Sequence, residues 1–236
     1  MAKGKNNATK TRKTKSNNQR SREPLVALND KQQEYINSII EYPVVICTGV
    51  LGSSKTYIPS VMAADWLLQK KIDKVVIARP AEGAGKSVGF FKGDINQKLS
   101  VWCAPILDTL KKRIGQGHYE EFLEHGKIEL LPLEAVKGRS WDDCVILIDE
   151  AEDLDPVVAK SLVTRHGQNT KTIISGDVKQ KDIRSHSGLD VLLFLSKKYN
   201  LPVKHIDFDS WDYCVRSDEA KAWGKAFEDY EKTKSQ

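Results

Sequence analysis

Gly49, Ser54, Lys55 and Thr56 follow the apolar run VVICT in the order G-x-x-x-x-S-K-T. A strand that turns through glycine into a helix leaves backbone N–H groups and the positive end of a helix dipole aimed at one place, and that place suits a polyphosphate. In such a loop the Lys55 ammonium reaches the outer phosphates and the Thr56 hydroxyl meets Mg²⁺. The backbone of Gly49, Val50, Leu51, Gly52, Ser53, Ser54 and Tyr57 supplies the cradle. Ser54 stands where glycine would complete the pattern, so it either fits a negative φ or pushes the phosphate outward. Pro59, about one turn into the helix, removes a backbone donor and is expected to kink it. Taken alone, the string is equally compatible with a plain strand, turn and helix.

A second group of residues fits the same chemistry. In ILIDEAED, Asp149 and Glu150 come straight after four apolar strand residues. An Asp there holds the water shell of Mg²⁺, and the adjacent Glu150 polarises a water for in-line attack on a γ-phosphate. An acidic helix cap accounts for Asp153 and Asp155 better than for this pair. In TIISGDVKQ, Asp177 and Gln180 stand just beyond another apolar run, where Gln180 can orient or sense the γ-phosphate. Gln32, in LNDKQQEYI, carries an amide able to read an adenine edge, with a plain surface glutamine as the alternative.

These residues need a frame that brings them to one edge. Six short runs read as strands, at 43–49, 74–80, 127–133, 143–150, 171–177 and 202–209. Four are nearly continuous in apolar residues, the mark of strands buried on both faces of a parallel sheet. Helical patterns fall at 30–41, 55–71, 95–113, 117–125, 156–166, 188–199 and 217–233. The expected fold is α/β, a mostly parallel sheet with helices on both faces, whose ligands bind outside the carboxyl ends of the strands. Every candidate so far lies at such an end or in the loop after it, except Gln32.

With 236 residues and 40% hydrophobic composition, the chain supports one buried core. The expected organisation is a disordered basic tail over 1–23 and one domain over 24–236. The tail holds eight Lys and Arg and no acid through residue 22, while the whole chain carries only +5, so the basic character belongs to the arm. Such an arm either solubilises or tracks nucleic-acid phosphates. Cys47, Cys103, Cys144 and Cys214 form no C-x-x-C pair and read as reduced, structural thiols. No apolar run reaches the length of a membrane span and the N-terminus lacks a signal-peptide pattern, so a soluble, cytoplasmic protein with no membrane partner is expected.

With its motifs in order, the chain resembles the PhoH-like proteins over residues 26–216. These are P-loop ATPases with a RecA-like core similar to the first motor domain of superfamily-one helicases. The matching pieces besides the loop are ARPAEGAGKSVGFFKGD, LEAVKGRSWDD, LIDEAEDL, TRHGQNTKTIISGDVKQKDI and WDYCVR. The resemblance implies that Gln32 reads adenine, that Lys55 and Thr56 are the Walker A pair, that Asp149 and Glu150 are the Walker B pair, and that Gln180 belongs to a motif similar to helicase motif III. It makes Arg79, Arg139 and Arg216 candidate phosphate or nucleic-acid contacts. Arg216 looks like the arginine that touches the γ-phosphate in related motors. Arg139 is a candidate arginine finger for its own site or a neighbour's. The segment with Lys86, Phe90, Phe91 and Lys92 is a candidate grip on single-stranded nucleic acid, against a core staple.

The implied function is ATP hydrolysis with Mg²⁺, acting on nucleic acid, RNA more than DNA. One motor domain cannot form a two-domain cleft, so a homo-oligomer such as a hexameric ring is expected. The chain looks like the short, single-domain kind common in phage genomes, which for a phage protein means the host cytoplasm. It departs from the family at Ser54, at Pro59 and at Glu152, where glutamine is usual. A nucleotide-gated binding scaffold with little or no turnover is the alternative. A small-molecule kinase has no use for the GDVKQ segment or the basic arm.

Overall fold

The computed structural model describes residues 23–80, 95–178 and 187–234. The basic arm through residue 22, the Lys86–Lys92 grip and Gln180 lie outside the described residues. The six strands are β1 Val44–Gly49, β2 Lys74–Arg79, β3 Ile128–Pro132, β4 Cys144–Ile148, β5 Lys171–Ser175 and β6 Val203–Phe208. They form one sheet in the order β3-β2-β4-β5-β1-β6, and every pairing is parallel. All six strands begin and end within about two residues of the expected runs.

Alternation along the strands divides the core in two. Val45, Cys47, Val75, Ile77, Val145, Leu147 and Ile173 face one side, where they meet Tyr35, Ile39, Ile58, Leu67, Ile106 and Leu110. Those side chains come from α1 Asp30–Glu41, α2 Tyr57–Leu68 and α4 Ala104–Ile114. Val44, Ile46, Val76, Ala78, Ile146, Ile148 and Ile174 face the other side, under Val158, Leu162, Leu189 and Leu192 of α6 Pro156–Thr164 and α7 Gly188–Lys198. Burial on both faces is why these strands read as unbroken apolar runs. Helices α3 Ile95–Trp102, α5 Gln116–Glu124 and α8 Asp218–Lys234 are the other α-helices among the described residues.

Two helix expectations are corrected. The run 95–113 is two helices, broken at Cys103, because Pro105 sits in the first turn of α4 where its missing N–H costs nothing. Helix α2 begins at Tyr57, so Pro59 is also in a first turn, where a missing N–H is tolerated. The α2 bonds on either side of it are formed, Ile58 N–H to Ser54 O at 3.1 Å and Ser60 N–H to Thr56 O at 3.3 Å. Lys55 O, which residue 59 would otherwise serve, accepts instead from Tyr35 Oη at 3.0 Å and Ser175 Oγ at 3.4 Å.

The four cysteines are free and buried. Burial pushes the Cys47 thiol up to about 12, and those of Cys103 and Cys144 up to about 11, so these three are thiols rather than thiolates at neutral pH. No helix among the described residues is long and apolar enough to cross a membrane.

Candidate active site

The carboxyl ends of β1, β2, β4 and β5 open on a cleft of about 480 Å³, lined by residues 51–57 together with Arg79, Asp149, Glu150, Asp177 and Arg216. Its floor is the loop after β1. Gly49 has φ +115°, and a Cβ there would fall 2.2 Å from Phe208 O, so no side chain fits where β1 passes β6. Val50 N–H donates to Phe208 O at 2.9 Å, and Val215 N–H donates to Gly52 O at 3.0 Å. The end of β6 and the turn after it therefore hold the loop from outside. Gly52 has φ +74°, and the side chains of Arg216 and Cys214 fill the space beside it.

Ser54 also has a φ of +74°. The negative φ considered for it is corrected: the loop needs a left-handed residue here, and serine adopts that conformation at a cost of roughly 1–2 kcal/mol. Gln32 braces this stretch from beneath. It is 2% exposed; its Nε2 lies 3.3 Å from Ser53 O and 3.4 Å from Ser54 Oγ, while its Oε1 accepts from Leu28 N–H at 2.9 Å. Both ends of the amide thus bond within the chain, behind the loop rather than on the cleft surface. The adenine-reading expectation meets a side chain already engaged, because the glutamine also closes the N-terminus of α1 beside its Asn29 cap.

Lys55 points its ammonium into the loop, donating to Gly49 O and, at 2.8 Å, to Val50 O. Thr56 Oγ1 donates to Asp149 Oδ1 at 2.9 Å, joining the loop after β1 to the end of β4. Burial raises the Asp149 carboxyl above the usual range, with the Thr56 hydroxyl opposing. Glu150 takes left-handed φ 55° and ψ 50°, which turns it away from Asp149 and toward Arg79 Nη2, 3.2 Å from its Oε1. Arg79 is itself held by Trp102 O at 2.6 Å. The Glu150 carboxyl is lowered, first by a hydrogen bond from Glu152 and, after burial opposes it, by the Arg79 and Lys55 charges. Buried Glu152 also accepts from Asp177 N–H at 3.1 Å.

Arg216 lines the cleft. Arg139 does not. It pairs with Glu129 of β3, three residues before the carboxyl end of that strand, where Lys74 from the start of β2 also reaches Glu129. In this chain Arg139 is thus engaged with Glu129, away from the cleft. Sequence reasoning missed the Arg79–Glu150 pair and Tyr35, whose chemistry is visible only once β2 and α1 are placed against the loop.

A family model described as "PhoH-like protein" matches residues 24–228. The chain belongs to the PhoH-like family. Among curated relatives, the PhoH-like protein of Synechocystis is 35% identical over 163 residues, covering 68% of this chain and 50% of the relative. Protein PhoH of Escherichia coli K12 is 32% identical over 166 residues, covering 70% and 47%. The PhoH-like protein of Bacillus subtilis is 38% identical over 152 residues, covering 64% and 48%. The match thus spans about half the length of these relatives. Among solved structures, the large terminase of a thermophilic bacteriophage covers 82% of this PhoH-like chain and 48% of its own, with a TM-score of 0.52 at 11% identity. That likeness is one of fold: the PhoH-like chain shares a RecA-like arrangement of a parallel sheet with helices on both faces.

Proposed function

We propose that this PhoH-like chain binds and hydrolyses ATP and acts on single-stranded nucleic acid, RNA in preference to DNA, as a homo-oligomer. The observation that carries the reading is the 2.9 Å bond between Thr56 and Asp149, inside a cleft that also holds Lys55, Glu150 and Arg216. Thr56 and Asp149 are an all-oxygen pair of the kind that suits Mg²⁺, so they are the residues that would hold it. When bound, the ion would neutralise charge developing on the phosphates.

The chain's own groups divide the remaining work. The loop N–H groups and the start of α2 favour an anion at the cleft floor. Lys55 offers its ammonium to the outer phosphates in exchange for two backbone carbonyls. Glu150 is ionised at neutral pH and stands at the cleft rim, able to take the proton of an attacking water. Arg79 fixes its direction. Arg216 adds positive charge over Gly52. Arg139, turned away from its own cleft, is assigned to a neighbouring subunit's site, which motivates the oligomer.

The test is phosphate release by the wild type, Glu150→Gln and Ser54→Gly, with and without single-stranded RNA or DNA across a salt series. Turnover that Glu150→Gln abolishes while nucleotide binding persists supports the enzyme. One observation favours a second reading, a nucleotide-gated scaffold: Ser54 keeps a left-handed backbone that a glycine would adopt freely. Turnover confined to Ser54→Gly supports that scaffold and refutes hydrolysis by the natural chain.

A further inference from the structure

Helix α8 has two faces that differ in what they meet. One is turned to the body of the chain. A Cβ on Gly224 would lie 2.0 Å from Trp211 Cη2, and Trp211 Nε1 donates to Glu228, one turn further on, at 2.6 Å. Trp211 belongs to the 3₁₀ turn Trp211–Tyr213, just behind β6. Its ring therefore fixes both the position and the rotation of α8.

The other face is apolar and open to solvent. Trp223, Phe227 and Tyr230 fall at i, i+4 and i+7, a spacing that lines one stripe of a helix. They are 68%, 59% and 55% exposed, and the Trp223 and Phe227 ring centroids are 6.1 Å apart. Ala222 and Ala226, also exposed, border them. A helix that only covers its own domain needs one inward face, and the Gly224 side already supplies it. Single exposed rings are ordinary, but a contiguous stripe of them marks a surface that another surface covers.

Charge and symmetry select the partner. Helix α8 has five acidic residues against four lysines, and exposed Glu219 and Glu231 stand one turn from Trp223 and Phe227. The stripe thus offers no attraction to phosphates, whether of a nucleic acid or of a lipid surface. Reversed, however, the pattern complements itself. Laid antiparallel on a copy of itself about an axis between positions 226 and 227, the helix sets Trp223 opposite Tyr230, Phe227 opposite Ala226, and Glu219 opposite position 234, a lysine in the sequence. Rings then meet a ring or a small residue, and the opposed helix dipoles attract. At roughly 150–250 Å² for a whole aromatic side chain, the exposed parts amount to about 350 Å² per copy. With the alanines and the end charges, a pair approaches the roughly 1,000 Å² that a specific interface needs.

We propose that the aromatic stripe of α8 is a contact between two copies of this chain, packed antiparallel about a two-fold axis. It extends the oligomer reading above and is independent of Arg139 and of hydrolysis. The area is modest, so the pair dissociates on dilution.

Sedimentation velocity over about 1–200 μM tests the contact, without nucleotide, so that the result stands whether or not the chain hydrolyses ATP. The proteins are the wild type, Phe227→Glu, Glu219→Lys, Glu219→Lys combined with Lys234→Glu, and Phe194→Glu, whose ring is equally exposed on α7. The wild type gains mass with concentration, and Phe194→Glu follows it. Phe227→Glu halves the weight-average mass at the highest concentration, with an unchanged urea midpoint showing that it folds. Glu219→Lys raises the Kd of the pair by about three- to tenfold, and the charge swap restores it. Should Phe227→Glu fail to fold, the swap alone decides. A wild-type oligomer whose mass survives Phe227→Glu, or a swap that does not rescue, overturns the α8 contact alone. A wild type that stays monomeric throughout overturns it together with the proposed oligomer. Loss of RNA or DNA binding by Phe227→Glu at unaltered mass gives the stripe to a nucleic-acid strand and likewise overturns the proposal.

Discussion

The Lys55 carbonyl gives a sharp test of how the loop is anchored. Tyr35 is fully buried and donates to that oxygen at 3.0 Å, with Ser175 Oγ at a longer 3.4 Å. A typical internal hydrogen bond contributes a net of roughly 0.5–1.5 kcal/mol, and stranding a buried partner costs about 1–3 kcal/mol. With Ser175 left as a weak substitute, Tyr35→Phe should cost about 1.5 kcal/mol, or roughly 3–6 °C in Tm for a domain of this size. Pro59→Ala supplies the N–H that the first turn of α2 lacks, directed at the same carbonyl. In that background the Tyr35→Phe penalty should shrink to about 0.5 kcal/mol, a coupling of about 1 kcal/mol. The greater freedom that alanine gives the unfolded chain, roughly 0.4–1 kcal/mol, is common to both Pro59→Ala proteins and cancels in the cycle. Urea unfolding of the four proteins, read as midpoints at constant m, measures the coupling. Additivity within about 0.3 kcal/mol would show that Tyr35 does not serve the carbonyl that proline leaves open.

Gly49→Ala should destabilise by more than about 3 kcal/mol, because its Cβ meets only Phe208 backbone atoms and φ is positive; a urea midpoint within about 1 kcal/mol of the wild type contradicts that packing. Arg139→Ala removes a partly exposed ion pair and should change stability by less than about 1 kcal/mol, yet lower turnover per chain. Mixing it with Lys55→Ala, which retains Arg139, should restore activity if the arginine serves a neighbour. No recovery in the mixture removes the interfacial role.

The strands were legible in the sequence because burial on both faces leaves an unbroken apolar run, and the loop because glycine, lysine and threonine at fixed spacing have few other uses. The helix boundaries at Tyr57 and Cys103 were harder, since a proline reads as a breaker unless its place in the first turn is known. Ser54 misled for a related reason: side-chain identity favours negative φ, but closure of the loop between β1 and α2 overrides it. Gln32 and Arg139 have partners within the chain that the sequence does not announce. One is drawn under the loop by the α1 cap and the other back along β3 by Glu129. Arg79 with Glu150, and Glu152 with Asp177, join residues far apart in the chain, and only the strand order makes them neighbours.

The grip of β6 on the phosphate loop has a consequence for synthesis. Gly49, Val50 and Gly52 are made early, but the backbone that seats them, at Phe208 and Val215, leaves the ribosome long afterwards. A nascent chain that already contains both Walker motifs still lacks the outer wall of its binding floor. The loop should therefore gain its finished shape only after the sixth strand and the turn behind it have emerged, so that a chain terminated before residue 203 is left with the floor of its cleft unbacked.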